Sequence, residues 1–337
     1  MSTKSVNTSQ RTRIGWQGIA LTLPPDWSLT GISTERRAGY IKIDSPGTMF
    51  VQIRWEMAGN RPQPKSLNDW VKYGISQLQN RNRPVEIEPP DLGVILDRYL
   101  KEAEKRSHKQ KEEFESKAKS ETVELSGERI ARNFQWVGGG VGQGKIWYCR
   151  HCQRIVMAQV VGRSKDDIGA VASELFSTIR DHGEEGWQTW ALYDLCAEVP
   201  EQFQLEQYRL MAGALRLEFR RGGKSIMIER WGLANVLLRN SSLEDWYAHM
   251  VDLPCRGIEK EETEHAGHTV VHFHWNINDP LARLRAIRDG FFSHTISTGG
   301  SAAVWHCPAN NKIFGIRMHH PYGENIVEQV VERCRCH

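Results

Sequence analysis

Short runs in which apolar and polar residues alternate fill the early chain, and the same runs return later. Gly18 to Leu23 alternates toward a strand that Pro24-Pro25 stops, and Tyr40 to Asp44 and Phe50 to Trp55 flank the turn Ser45-Pro46-Gly47. Leu215 to Phe219 and Ser225 to Trp231 flank Gly222-Gly223 in the same way. Period-two runs separated by turn residues predict an antiparallel meander. A helix start follows each meander: Ser66 with Asp69, and Ser242 with Asp245, have the spacing of a capping box.

These are one pattern carried twice. Pro24 to Trp70 returns as Pro200 to Trp246 at an offset of 176, with Trp55 and Ser66-Leu67-Asn68-Asp69-Trp70 answered by Trp231 and Ser242-Leu243-Glu244-Asp245-Trp246. Self-similarity at a fixed offset marks a duplicated structural unit. Gly127 to Trp136 then matches Gly267 to Trp275 at an offset near 139, and Trp147-Tyr148-Cys149 matches Trp305-His306-Cys307 at 158. The closing run Ile168, Val171, Ala172, Leu175, Phe176, Ile179 has helical spacing, and its partner is Ile326, Val327, Val330, Val331, Cys334. Each copy therefore predicts a strand meander, a helix, three more strands and a closing helix, with helices packed against one twisted antiparallel sheet. The expected organisation is a polar leader over 1–13, a first repeat over 14–183 and a second over 184–337.

The changes of offset locate two segments that are not duplicated. The first, 91–121, opens with Leu92, Ile95, Tyr99 and Leu100, which dock its start, and continues from Lys101 to Glu121 as a charged run. Glu102/Arg106, Lys109/Glu113, Glu113/Lys117 and Glu115/Lys119 are spaced i,i+4, which predicts one long solvated helix. The second, 278–300, begins with Asp279-Pro280 as N-cap and N1, and then carries Leu281, Leu284 and Ile287 on one stripe. Arg283, Arg285 and Arg288 sit elsewhere on that helix, and Phe291-Phe292 closes it. Exposed aromatics beside arginines are typical of interface hot spots.

Forty-four basic residues against 41 acidic ones, a formal net charge of +3, give no strong field toward nucleic acid or an anionic membrane. The polar N-terminus lacks the apolar core of a signal peptide, and no run of eighteen apolar residues occurs. Seven cysteines, an odd number spread over both halves, fit reduced thiols better than a disulfide framework. The expectation is a cytoplasmic protein with no membrane insertion.

A short strand ending in Pro-x-x-Trp, a strand meander, a capped helix and a strand hairpin before a final amphipathic helix resemble the Mog1/PsbP-like fold, here in tandem. The resemblance implies two α/β/α sandwiches of the α+β class and an interaction module. Mog1 proteins bind a small GTPase and PsbP proteins dock on a photosystem, so by analogy the partner is another protein or a larger complex.

Several clusters bear on chemistry. Four tryptophan pairs recur in both copies, Trp55/Trp231, Trp70/Trp246, Trp136/Trp275 and Trp147/Trp305, and what both copies retain is read as packing. Cys149-Arg150-His151-Cys152 has the form of half a zinc knuckle, for which Cys334-Arg335-Cys336-His337 offers a second half. Against this, Cys149 pairs with Cys307 and Cys334 with Phe176, both apolar core positions where free Cys is at home. His272 and His274 share one strand face roughly 7 Å apart, and His306 is a candidate third ligand for a divalent metal with hydrolytic activity. The matching places in the first copy hold Asn133 and Gln135, as on an ordinary polar sheet face. The glycine-rich stretch Gly138 to Gly144 lacks a following Lys-Ser/Thr and reads as a hairpin loop. No nucleophile motif is present, so the expected function is a non-catalytic adaptor or assembly protein. It docks through Tyr99, Leu100, Arg283, Arg285, Arg288, Phe291 and Phe292, without a cofactor. Zinc at His272, His274 and His306, or at Cys149 and Cys152, is the alternative. Nucleic-acid binding through the three arginines ranks below both.

Overall fold

The computed structural model describes residues 11–24, 26–35, 37–58, 88–118, 122–123, 127–163, 165–253, 258–276, 299–320 and 326–336. The helix expected at Ser66, and Arg283, Arg285, Arg288, Phe291 and Phe292, lie outside them.

Along the chain run β1 (Thr12–Trp16), β2 (Ile19–Leu23), β3 (Ser28–Thr34), β4 (Ala38–Asp44) and β5 (Phe50–Met57), then α1 (Leu92–Lys109). Next come β6 (Glu115–Ala118), β7 (Thr122–Val123), β8 (Arg129–Val137), β9 (Val141–Cys149), β10 (Arg154–Gly162) and α2 (Lys165–Thr178). The later chain gives β11 (Trp187–Leu192), β12 (Leu195–Pro200), β13 (Gln204–Leu210), β14 (Ala214–Arg221) and β15 (Lys224–Gly232). After α3 (Ala234–Leu237) and α4 (Leu243–Met250) follow β16 (Ile258–His265), β17 (His268–Asn276), β18 (Gly299–Cys307), β19 (Lys312–His320) and α5 (Val327–Glu332).

The strands form three antiparallel sheets. One has the order β3-β4-β5-β10-β9-β8-β6, with β7 also on β8, one the order β13-β14-β15-β19-β18-β17-β16, and one the order β12-β11-β1-β2. The chain divides into two compact units, the first built on residues 21–182 and the second on 13–20 and 183–337. β1 enters the second unit by pairing with β11, Gly15 opposite Ala191. The two larger sheets repeat the same strand order term by term.

The expectation of two α/β/α sandwiches is overturned. Strands dominate the described residues, and α3, α4 and α5 have only 4, 8 and 6 residues. Only α1 and α2 reach 18 and 14, so the helices are local covers on mostly-β units rather than layers. Two stretches form strands that the sequence pattern did not lead one to expect. Trp187 to Pro200 forms a hairpin pairing β11 with β12, and the charged segment after Lys109 is not helical. There Lys111 takes a left-handed φ of 61°, Phe114 stacks on Trp136 at 6.0 Å, and Glu115–Ala118 pairs with β8. Hydrophobic contact to the sheet outweighs the weak i,i+4 ion pairs of a longer helix.

α1 forms where expected. The Asp91 Oδ1 accepts from the N–H groups of Gly93 and Val94 at 2.8 and 3.2 Å, and Leu92, Leu96 and Leu100 fall on one stripe. They pack with Phe134, Ile146 and Tyr148 of the sheet. α2 buries Ile168, Ala172, Leu175 and, just past its end, Ile179. In the second unit Tyr247 of α4 packs among Trp231, Phe273 and Val304.

The structure also refines the duplication. Trp55 lies opposite Val156, whereas Trp231 lies opposite Ile313, the counterpart of Ile155. The equivalent pairs Asp44/Phe50 and Arg220/Ser225 enclose five and four residues, and a one-residue shift turns side chains to the other face. Trp55 and Trp231 are therefore both buried, at 5% exposure, but on opposite faces. Trp136 and Trp275 do coincide: each lies opposite a glycine, Gly142 and Gly300. A Cβ on either glycine would fall inside the indole across from it. Both copies thus seat a tryptophan on a bare backbone. Gly300→Ala is expected to cost about 1–3 kcal/mol through overpacking, read as a lower urea midpoint. Gly223→Ala, with nothing within 4 Å, serves as the control, and equal midpoints for the two would refute the packing argument.

Candidate functional site

The residues expected to dock partners or metals are placed as follows. Tyr99 and Leu100 turn inward: Leu100 is 7% exposed, and the Tyr99 ring meets Phe134 edge-on at 6.0 Å. Burial raises the pKa of Tyr99. Leu100 belongs to the first unit's core, and Tyr99 packs against that core half-buried. The three-histidine site does not assemble. His272 and His274 are near-parallel at 6.5 Å, but His272 pairs with Ala303, so His306, three residues further along β18, projects from the opposite face. The His272 Nε2 lies 2.9 Å from Thr263 Oγ1, and burial lowers the pKa of both His272 and His306.

Cys149 and Cys152 gather a different set of neighbours from the C-terminal cysteines named as a second half-knuckle. Cys149 ends β9 and, with Cys152 in the following turn, lies beside Asp181 and His182, just beyond α2. One ligand atom from each of Cys149, Asp181 and His182 lies within 4.8 Å of the others. A hydrogen bond from Cys152 brings the Cys149 thiol down to about 7, and the same contact, with burial, raises Cys152. His151 and His182 lean together at 4.4 Å. At the centre is Asp181, fully buried, accepting from Arg129 at 2.8 Å and from the Trp147 indole N–H at 2.6 Å. Its charge is already matched by a guanidinium, which would repel a dication.

The second unit carries the counterpart of this cluster with different chemistry. Cys307 answers Cys149 and Trp305 answers Trp147, both at 158, while the pairing of β17 with β18 sets His268 in the place of Arg129. The closing helices align at 155: Ala172, Leu175 and Ile179 are answered by Val327, Val330 and Cys334, all buried. Two residues on, Cys336 stands where the first unit has Asp181. The Trp305 indole donates to the Cys336 thiol as Trp147 does to the Asp181 carboxylate. His268, Cys307 and Cys336 are 8%, 0% and 4% exposed, with one ligand atom from each within 4.8 Å of the others. The His268 Nε2 is 3.2 Å from Cys336 Sγ. Sequence reasoning weighed Cys307 and Cys336 separately, because an offset of 158 pairs Cys334 with Phe176 and Cys336 with Thr178. The buried residues of the two closing helices, aligned with each other, reveal Asp181 as the counterpart of Cys336.

An opening lies over the first sheet, a groove of about 700 Å³. Its floor is made of the cross-strand pairs Asn133/Lys145 and Gln135/Gln143. Lys117 of β6 forms one wall and Ser173 of α2 the other. The same floor positions in the second unit are His272, His274, Ser301 and Ala303, of which His272, Ser301 and Ala303 are buried. Among the described residues, the matching floor of the second unit is thus largely covered.

No helix among the described residues is long and apolar enough to cross a membrane. The sequence matches no protein-family model and no curated protein.

Proposed function

We propose that the protein is a non-catalytic binding protein whose first unit takes an extended acidic segment of a partner protein in the groove between β6, β8, β9 and α2. The supporting observation is the groove itself. Among the described residues, amides, hydroxyls and two lysines line it without a carboxylate, and Lys117 lies 3.4 Å from the exposed Glu115; the surface offers hydrogen bonds to a peptide backbone and charge to acidic side chains. One wall, β6, has its counterpart in β16, where Glu259 stands opposite His274 as Lys117 stands opposite Gln135, so the basic wall belongs to the first copy.

The test is fluorescence anisotropy with a labelled oligoglutamate peptide at low and moderate salt. Binding is expected, weakening as salt rises and falling about tenfold in Lys117→Glu/Lys145→Glu. Lys260→Glu, on the second unit's surface, is expected to leave it unchanged. A peptide that does not bind, or that binds the double variant equally well, overturns the reading.

A further inference from the structure

We infer that the second unit holds a zinc ion at His268, Cys307 and Cys336, in the position where the first unit places an ion pair. The duplication carries the argument. In the first unit this position, at the end of the central strands, is filled by Arg129 and Asp181 at 2.8 Å beside Trp147 and Cys149. A cation and an anion sum to zero there, which is what a buried site requires. In the second unit both partners have been exchanged, arginine for histidine and aspartate for cysteine, while Cys307 and Trp305 keep the places of Cys149 and Trp147. The product is a buried set of one imidazole and two thiols. A dication with two thiolates again sums to zero.

The donor set and its dimensions suit zinc. Thiolate and imidazole are the ligands of structural zinc sites. With Zn–S bonds of about 2.3 Å and Zn–N of about 2.0 Å, tetrahedral ligand atoms stand roughly 3.5–3.8 Å apart. The three atoms here lie within 4.8 Å of one another, with Cys336 Sγ and His268 Nε2 at 3.2 Å, so shifts of up to about 1 Å bring them to the metal. Binding deprotonates both thiols: two S–H protons leave to solvent as two Zn–S bonds form, and the neutral imidazole gives its ring nitrogen lone pair.

The ligand from the chain's end is tied in place by contacts that do not involve its thiol. Arg335 exchanges backbone hydrogen bonds with Cys196 at 2.7 and 3.2 Å. The Asn310 side-chain amide donates to the Cys336 carbonyl at 2.6 Å, and the His265 ring nitrogen lies 3.1 Å from the Cys334 carbonyl. These contacts hold a segment that α5 has already released.

The experiment is elemental analysis of the untagged full-length chain, purified without chelator. About one zinc per chain is expected, with a thiolate-to-cobalt charge-transfer band after exchange into cobalt. The informative variant is His268→Arg/Cys336→Asp, which rebuilds the first unit's ion pair under Trp305. It is expected to fold cooperatively and to lose zinc at least tenfold, whereas Cys149→Ala keeps it. Zinc that survives the exchange, a chain without zinc, or a Cys307–Cys336 disulfide in the untreated protein overturns the inference. Should the exchanged variant fail to fold, the cobalt spectrum of the native chain decides, and absence of the thiolate band overturns it.

Discussion

Asp181→Ala is expected to lower the stability of the first unit by about 3–5 kcal/mol, the cost of removing one partner of a buried ion pair. The carboxylate is fully buried, and the Arg129 side chain it neutralises is only 17% exposed. Truncation leaves a guanidinium without its anion inside the protein, and the Trp147 indole N–H without its acceptor. For a unit of this size each kcal/mol moves Tm by about 2–4 °C, so a drop of roughly 6–20 °C is expected in thermal unfolding followed by near-ultraviolet circular dichroism. A shift below about 2 °C would show that the pair contributes little.

The same group makes stability depend on pH. Burial alone would raise the Asp181 carboxyl, but the Arg129 charge and hydrogen bond, with the Trp147 donor, outweigh it and hold it below the ordinary value of 3.8. The folded state therefore releases this proton more readily than the unfolded state. Its contribution is complete above the unfolded pKa of about 4 and is lost as pH falls through the lower folded value. The gap between native protein and Asp181→Ala should be constant from pH 7 to about 5 and narrow in more acidic solution. A gap that widens on acidification would contradict the assignment.

Much of the architecture is legible in the alternation of residues. The two meanders, the hairpin around the glycine-rich loop and the cap at Ser242 follow from local pattern, because turns, period-two runs and capping boxes are local chemistry. What escapes is set by distant pairing. Gly15 meets Ala191 and Arg129 meets Asp181 with nothing between them in sequence to announce either contact. The three-histidine site failed on parity: His272 and His306 lie on neighbouring strands, and the register decides which face each takes. The tryptophan offset shows how far an ungapped alignment can be carried. Trp55 and Trp231 align as letters, yet one residue fewer in a turn separates their faces. The buried cysteines needed the opposite correction, an alignment of the closing helices by their buried residues, before Cys336 and Asp181 could be seen as one position.

Glu229→Ala is expected to destabilise the second unit by about 3–5 kcal/mol, for the same reason as Asp181→Ala but on a different face of its sheet. Glu229 is 1% exposed and stands between Arg216 at 2.6 Å and Arg317 at 3.4 Å. Arg216 is nearly half exposed and can turn its charge to water, but the Arg317 side chain is 11% exposed. Arg317 donates to the Val251 carbonyl at 3.2 Å, which satisfies one N–H and leaves the charge uncompensated once the carboxylate is gone. The register gives Glu229 a counterpart in the first unit, Arg54, the residue before Trp55, which lies over the Tyr40 ring at 5.5 Å and is exposed. One structural position therefore carries an exposed cation in one copy and a buried anion in the other. Arg54→Ala should consequently cost under about 1 kcal/mol while Glu229→Ala costs several-fold more, both read from urea denaturation. Equal costs would mean that burial of the charge, and not its presence, has been misjudged.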